Sequence, residues 1–342
     1  MKNLTSHLLL FLLPLLVVAC QKEGKKYYHV EGTVFHTYYS IKYESEQPRD
    51  EEIAAVFSHI DSVANPFNPH SLLYAINNNL PQYSDSSLLY LFGKATEVSR
   101  ATGGHYDITV GPLVNAWGFG YEPSPYEGGV PQTVIDSLRQ FVGYEKVKVV
   151  ADTLQKEDSR TSIDMASIAK GYTSDMVAEA LRAKGVENYM VEIGGEIAYC
   201  GKNPQHKPWT IGVNVPTLDK LGSKNGELEA ILSLEGKGGV ATSGNYRNYK
   251  VNEEGVLFAH TIDPIEGIPV QRDVLSATIL APDCATADAL ATACMLVGSE
   301  QAMALVKKWS KVECLLLVAD KESPKGYRQM MSEGMKKYLS NP

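Results

Sequence analysis

Segments with strand-like and helix-like patterns follow one another along this chain without regular alternation, and this order constrains the fold more than any single motif. Residues 27–43 are rich in aromatic and β-branched side chains around one glycine, which predicts a hairpin or strand pair. Residues 50–63 carry apolar side chains at helical spacing instead. Further helices are predicted at 85–101, 132–142, 164–184, 284–298 and 300–309, and further strands at 146–151, 188–200, 209–215, 228–234, 239–242, 256–263, 273–281 and 312–319. Because strands and helices mix without strict βαβ alternation, we expect an α+β fold in one module, with two interleaved subdomains as the open alternative.

The composition excludes several classes of protein. Of the 342 residues, 44% are hydrophobic and 21% are charged, values near the globular average, so neither a disordered nor a fibrous chain fits. The formal net charge is −8 at pH 7, which argues against a nucleic-acid partner, because nucleic-acid-binding proteins usually carry a basic face. An acidic protein that faces a phosphorylated ligand usually needs a metal ion or local lysines to offset the repulsion.

An apolar run near the N-terminus indicates the compartment. Residues 8–18 (LLLFLLPLLVV) would span only about 16 Å as a helix, roughly half a bilayer, which favours a signal-peptide core over a transmembrane helix. The run ends in VVAC, with the cysteine at Cys20, and resembles a bacterial lipobox. We therefore expect a leader at 1–19, a lipidated Cys20, a polar tether at 20–26 and a domain at 27–340, anchored on the periplasmic side of a bacterial membrane. An ordinary secretory signal with a chance cysteine is the alternative.

Glycines and aromatic side chains are concentrated in residues 102–120. Glycines let the backbone approach a ligand closely, and aromatic rings can stack on a planar ligand. A glycine-rich turn with core aromatic residues is the alternative. The whole stretch 102–131 is expected to form a long ordered loop, a feature that is usually functional in compact domains.

Two segments combine polar side chains with predicted helices. Asp164 is expected where a strand leads into a helix, whose N-terminus would attract phosphate together with Lys170. An ordinary N-cap with a solvated lysine is the alternative. Asp288 and Thr292 are one helical turn apart, so their oxygens would share a face and suit a hard cation such as Mg²⁺ or Ca²⁺. A helix interior, with Thr292 bonded back to the backbone, is the alternative there.

A third segment offers acid–base chemistry. His260 could serve as a general base with Asp263 orienting it, although a histidine at a strand end is often structural. Ser243 precedes a glycine but lacks the surroundings of a nucleophile elbow, which favours a turn. The four cysteines after Cys20 show no metal-binding spacing and lie in mostly apolar surroundings, which favours buried free thiols.

Taken in this order, the motifs resemble the ApbE family, the FAD:protein FMN transferases. The stretches that carry the resemblance are DITVGPLVNAWGFG (107–120), DMASIAKGY (164–172), VEIGGEIAYCG (191–201), ATSGNYR (241–247), HTIDPIEGIP (260–269) and ATADALATA (285–293). They cover most of residues 30–300. The resemblance implies an ApbE-like fold, with mixed sheets flanked by helices.

The resemblance also implies a reaction. FAD would be cleaved at its pyrophosphate, FMN would be transferred to a Thr or Ser hydroxyl of a target protein, and AMP would leave. A divalent cation, expected to be Mg²⁺, would bridge the pyrophosphate oxygens. The family's metal ligands fall on the side chains of Asp288 and Thr292 and on backbone oxygens of Ser167 and Ala291. Its FAD contacts fall on Phe35, Phe67, His105, Tyr106, Asp107, Asp164, Lys170 and Ile262, and His260 is the candidate for activating the acceptor hydroxyl.

The chain departs from the family pattern at three places. Phe35-His36-Thr37 stands where the family often has Met-Gly-Thr, Phe67 stands where a tyrosine is frequent, and Ser167 replaces a frequent glycine. The bulky His36 would change the pocket for one of the FAD rings.

Two other functions stay open on the sequence. One is hydrolysis of FAD to FMN and AMP, with water in place of the acceptor hydroxyl. The other is a flavin-binding lipoprotein without catalysis, against which the intact Asp288, Thr292 and His260 argue. The expected acceptor is an exported or membrane-embedded redox protein, such as a subunit of a Na⁺- or electron-translocating complex.

Overall fold

The computed structural model describes residues 24–120, 122–126, 129–215, 228–244, 249–251 and 257–340. The expected leader, Cys20 and most of the tether lie outside these ranges. Within them, no helix is long and apolar enough to cross a membrane. The described cysteines carry free thiols, as predicted, and all of them except Cys200 are buried.

The described residues form eight α-helices and sixteen β-strands. The helices are α1 (Asp50–Ala64), α2 (Leu72–Asn77), α3 (Ser86–Ala101), α4 (Gly111–Ala116), α5 (Gln132–Arg139), α6 (Ala169–Ala183), α7 (Cys284–Val297) and α8 (Ser299–Val306). The strands are β1 (Lys26–Val34), β2 (Thr37–Ser45), β3 (Val147–Val150), β4 (Thr153–Lys156), β5 (Tyr189–Ile193), β6 (Glu196–Cys200), β7 (Trp209–Asn214), β8 (Leu228–Leu234), β9 (Lys237–Gly244), β10 (Tyr249–Val251), β11 (Leu257–Ala259), β12 (Ile262–Asp263), β13 (Ile268–Pro269), β14 (Val274–Ala281), β15 (Glu313–Ala319) and β16 (Tyr327–Met331).

A large sheet organises the described part of the chain. Its eight strands have the order β1-β2-β5-β6-β9-β14-β15-β16, and each neighbouring pair is antiparallel. Four two-stranded ladders accompany it, and these are antiparallel as well. The α+β class is confirmed. The neighbouring strands of these sheets are antiparallel, whereas we expected sheets that mix parallel and antiparallel strands.

Two cores lie on opposite faces of the sheet. Because successive strand residues point to opposite faces, Val191 joins the core beneath the helices while Met190 joins the other core. Helices α6 and α7 pack on the first face, with α1 and α3 outside them. The β7–β8 hairpin and a 3₁₀ segment at Glu333–Tyr338 pack on the second face. The first face therefore carries the helices that hold the predicted metal and phosphate residues.

The glycine-rich stretch 102–131 is not only a loop. It contains helix α4, which begins with Gly111-Pro112, and proline is well suited to the first helical positions because they need no N–H partner. Apolar residues of α4 and α5 form a third, smaller cluster with Ile262. The indole of Trp117 donates to the carbonyl of Gly267 at 2.9 Å, which ties this stretch to the β12–β13 turn.

Several local predictions are confirmed, and one helix start is wrong. The hairpin at 27–43, the helix at 50–63 and the Asp85-capped helix at 85–101 are present. The helix predicted from residue 164 begins only at Ala169. Asp164, the first residue of the predicted helix, lies outside α6, because its backbone N–H donates to the carbonyl of Ile108 at 2.6 Å.

Candidate active site

Helices α6 and α7 cross at unusually close range, and a glycine permits it. A Cβ atom on Gly171 would lie 2.8 Å from the Cβ of Asp288 and closer still to the carbonyl oxygen of Cys284. The backbone N–H of Gly171 donates to Asp288 Oδ2 at 3.0 Å. The crossing therefore fixes the Asp288 carboxylate, which is only 2% exposed. In the sequence, the signal for this close approach of two helices is Gly171 itself, an isolated glycine inside a helical pattern.

The beginning of α7 is anchored by two carboxylates. Asp175, on α6, accepts hydrogen bonds from the backbone N–H groups of Cys284 and Ala285 at 2.9 and 2.8 Å. Asp283 caps the helix by accepting from the N–H of Thr286 at 2.8 Å. Burial raises the pKa of Asp175 to about 7, although these N–H donors favour its charged form. No local pattern in the sequence indicates the role of Asp175, since its partners lie more than 100 residues away.

Asp288 is buried, and the half-buried Lys170 is close enough for each charge to affect the pKa of the other. Burial raises the pKa of Asp288, while the positive charge of Lys170 and the Gly171 N–H act to lower it. Burial alone would lower the pKa of Lys170, but the carboxylates of Asp288 and Glu196 raise it above its ordinary value. Lys170 Nζ lies 3.6 Å from Glu196 Oε1 and donates to the carbonyl of Ala166 at 3.0 Å. The nearby carboxylates therefore favour the charged form of the lysine, whose side chain is still 31% exposed.

A polar cleft of about 350 Å³ lies beside this pair. The predicted site residues that line it are Tyr106, Asp107, Asp164, Ser167, Lys170, His260, Ile262, Asp288 and Thr292. Ser243 lines it too, and its hydroxyl lies 3.3 Å from that of Thr292. Ser243 belongs to strand β9 rather than to the turn that the sequence favoured. Ala291 is fully buried within α7, so its side chain does not enter the cleft.

An aromatic cleft of about 540 Å³ adjoins the polar cleft. Its wall includes Phe35, His36 and Phe67, and the rings of the latter two meet edge to face with centroids 5.6 Å apart. The two clefts share Phe119, Asp164, Ala166 and Lys170. The structure thus brings the predicted ring contacts and the predicted phosphate and metal residues into one continuous surface.

Asp263 has a different partner from the one the sequence suggested. We expected it to orient His260, but its Oδ2 accepts from His105 Nδ1 at 2.8 Å and from Arg272 at 3.2 Å. Its Oδ1 accepts from the backbone N–H of Ile265 within its own turn. Asp263 is therefore positioned to hold His105, whose ring lines neither cleft.

His260 lies directly after strand β11 and enters the polar cleft. Its ring meets that of Phe119 edge to face, with centroids 6.5 Å apart. Phe119 also lies on the boundary with the aromatic cleft. The imidazole is thus available to a group bound where the clefts meet.

Two of the other predicted contacts have strong internal partners. The carboxylate of Asp107 accepts from the N–H and hydroxyl of Thr109 at 2.7 Å each and from the N–H of Tyr144 at 2.6 Å. Burial raises the pKa of Asp107, although these hydrogen-bond donors favour its charged form. Tyr106 is 1% exposed, and its hydroxyl accepts from Ser167 at 2.9 Å. Both residues shape the wall of the polar cleft.

The comparisons with known proteins agree with this geometry. The model of the ApbE family matches residues 35–316. The FAD:protein FMN transferases of Vibrio cholerae and Haemophilus influenzae are each 34% identical, over 95% and 94% of this chain and 96% and 94% of their own lengths. Among solved structures, the flavin transferase ApbE of Vibrio cholerae matches with a TM-score of 0.80 at 33% identity, covering 92% of this chain and all of that one. The apo flavinyl transferase ApbE of Pseudomonas stutzeri matches with a TM-score of 0.79 at 27% identity, covering 93% and 98%. On sequence and fold together, the chain belongs to the ApbE family.

Proposed function

We propose that this protein is a metal-dependent FAD:protein FMN transferase, which moves FMN from FAD to a Thr or Ser hydroxyl of a target protein and releases AMP. The observation that carries the proposal is the junction of the two clefts at Lys170. One side offers aromatic rings, and the other offers Asp288, Thr292 and His260. A dinucleotide needs both environments, because its rings are planar and apolar while its pyrophosphate is charged.

The oxygen donors beside Asp288 fit a hard divalent cation such as Mg²⁺. The buried carboxylate and the hydroxyls of Thr292 and Ser243 are ligands of the type that Mg²⁺ accepts, and the family resemblance adds the backbone oxygens of Ser167 and Ala291. No cluster of three or more His, Cys, Asp or Glu side chains that could hold a metal occurs in the described ranges. Mg²⁺ commonly takes only one or two carboxylates and completes its shell with water and substrate phosphates. When bound, it would offset the negative charge that develops on the pyrophosphate oxygens.

The chain's own residues supply the remaining steps. His260 accepts the proton of the acceptor hydroxyl, whose oxygen forms a bond to the FMN phosphorus. The bond from that phosphorus to the bridging oxygen breaks, and AMP leaves with that oxygen. The charged Lys170 faces the pyrophosphate and offsets its charge in a protein that is acidic overall.

The N-terminal segment supports a proposal about location. An apolar run that ends at Cys20 supports a lipid anchor that holds the domain at 27–340 on the periplasmic side of a membrane. The acceptor is then an exported or membrane-embedded redox protein, such as a subunit of a Na⁺- or electron-translocating complex. Such a partner can be reached by an anchored enzyme without diffusion through the bulk phase.

Product analysis tests the proposal. The full chain, purified in detergent, is incubated with FAD, Mg²⁺ and a protein fragment that carries an Asp-x-x-Ser/Thr-Gly-type acceptor segment. We expect one AMP for each acceptor molecule that gains the mass of FMN less water. Release of FMN and AMP with an unmodified acceptor would instead establish hydrolysis, and retention of intact bound FAD would establish a binding protein.

A further inference from the structure

The turn between β1 and β2 has a strained backbone. Phe35 and His36 are its two residues, and their φ angles are +49° and +59°. Two-residue turns with positive φ at both positions are usually built from pairs such as Asn-Gly, because a Cβ atom is disfavoured there. Strain of this kind persists where the surroundings enforce it, and it is concentrated at ligand-binding sites.

Packing explains how the turn is held but not why a histidine occupies it. The half-buried ring of Phe35 meets Phe57 edge to face at 6.3 Å, and Phe57 also packs on Tyr39 at 4.9 Å. These contacts belong to the core and would hold the turn with any residue at position 36. His36 itself is exposed, and its ring contacts that of Phe67, which is 55% exposed. Because its ring is exposed, His36 contributes little to folding.

The two exposed rings stand at the wall of the aromatic cleft. The same cleft extends to Asp164 and Lys170, where it meets the polar cleft. A planar heteroaromatic ring in this cleft would gain edge-to-face or offset-stacked contacts with both side chains. A phosphate linked to that ring through a ribityl chain or a ribose would approach the ammonium group of Lys170.

We propose that His36 is a specificity-determining ligand contact, whose imidazole forms, beside the Phe67 ring, the wall against which one planar ring of FAD packs. The turn places the imidazole of His36 in the wall of the aromatic cleft. This inference rests on the proposed function and adds to it a binding residue on the β1–β2 turn. The isoalloxazine and the adenine of FAD share the chemistry that the cleft recognises, and separate ligands distinguish them.

A second strained turn provides a matched control. Ala151 and Asp152 form the two-residue turn between β3 and β4, with φ angles of +48° and +58°, and neither residue lines the two clefts. His36→Gly and Asp152→Gly therefore relieve the same kind of strain, but only the first removes a ring from the cleft. His36→Phe keeps an aromatic face at the strained position.

The test measures thermal unfolding and the dissociation constants for FAD, FMN and AMP, using the full chain in detergent. We expect both glycine variants to unfold at or above the parent temperature. In His36→Gly alone, the dissociation constant for FAD should rise about threefold to tenfold, the range expected for the loss of one aromatic contact. His36→Phe should bind FAD like the parent. Weaker FMN binding would assign the cleft to the isoalloxazine, and weaker AMP binding would assign it to the adenine.

Unchanged dissociation constants for all three ligands in His36→Gly would overturn the inference. So would an equal loss in Asp152→Gly, since the effect would then follow from relaxed hairpins rather than from a missing ring. Either result leaves the proposed function standing, because that function is judged on FAD binding and FMN transfer by the parent chain.

Discussion

At the scale of single residues, charge compensation allows an acidic protein to present a site for pyrophosphate. Asp288 is buried and Lys170 is half-buried, and each favours the charged form of the other. Glu196 adds a second carboxylate near the lysine. The positive charge of Lys170 at the junction of the clefts and the Asp288 carboxylate in the polar cleft let the site face phosphate on one side and a cation on the other.

His260 should matter for the chemical step and not for binding. We expect His260→Ala to keep the FAD affinity of the parent while the rate of FMN transfer falls about 10²–10⁴-fold, the usual contribution of a general base. His29→Ala, which removes an exposed histidine that lines neither cleft, is the control. Loss of FAD affinity in His260→Ala would show that the imidazole is a ligand contact and not a base.

The pairing of His105 with Asp263 shows what single residues in a sequence do not reveal. His260 and Asp263 are close in sequence, which suggested that one orients the other. The carboxylate instead contacts a histidine 158 positions away, because the β12–β13 turn folds back on the glycine-rich stretch. A contact at that separation depends on the tertiary fold, so no local pattern could have predicted it.

At the scale of elements, the site depends on how α7 sits against α6 and the sheet. Gly171 allows the two helices to approach, and Asp175 binds the first N–H groups of α7. Since Asp288 and Thr292 are both on α7, any shift of this helix moves both of them. Residues that touch no ligand therefore control the geometry of the polar cleft.

Gly171→Ala should disrupt the crossing of the two helices. The added Cβ would lie 2.8 Å from that of Asp288, so the helices must move apart, and we expect a loss of about 1–3 kcal/mol in the free energy of unfolding. Gly93→Ala on α3 is the matched control, because its Cβ would meet nothing within 4 Å. That change should stabilise the protein by up to about 1 kcal/mol. Urea unfolding of both variants checks the prediction, and equal effects would show that the crossing tolerates a methyl group.

Asp175 should make the stability of α7 depend on pH. Burial raises the pKa of Asp175 to about 7 in the folded protein. Its contribution to the free energy of unfolding is therefore full below the unfolded pKa of about 4, and it is lost as the pH rises through 7. Asp175→Ala should therefore cost more at pH 5 than at pH 8, by about 2 kcal/mol in the free energy of unfolding. Urea titrations of the parent and the variant at both pH values measure this difference. A cost that is the same at both, or larger at pH 8, would contradict the assignment.

At the scale of the whole molecule, periodic segments were predictable and contacts between distant segments were not. The amphipathic spacing in α1 and the aromatic hairpin of β1 and β2 depend on local patterns, and both were expected. The start of α6 was not, because the contact between Asp164 and Ile108 determines it. The motifs indicated the site residues, yet their grouping into two adjoining clefts follows from contacts between segments that are distant in sequence.

The most direct test measures whether FMN transfer depends on Mg²⁺ and on the carboxylate of Asp288. The full chain and Asp288→Asn are incubated with FAD and an acceptor fragment, with Mg²⁺ or with EDTA, and the intact mass of the acceptor is followed over time. Asparagine keeps the volume of the side chain and an oxygen that can accept from the Gly171 N–H, so the variant should fold like the parent. We predict that the parent adds FMN only with Mg²⁺ and that the variant is slower by about 100-fold or more, the effect of losing several kcal/mol of charge stabilisation. Addition of FMN at the parent rate by Asp288→Asn, or by the parent in EDTA, would contradict the account.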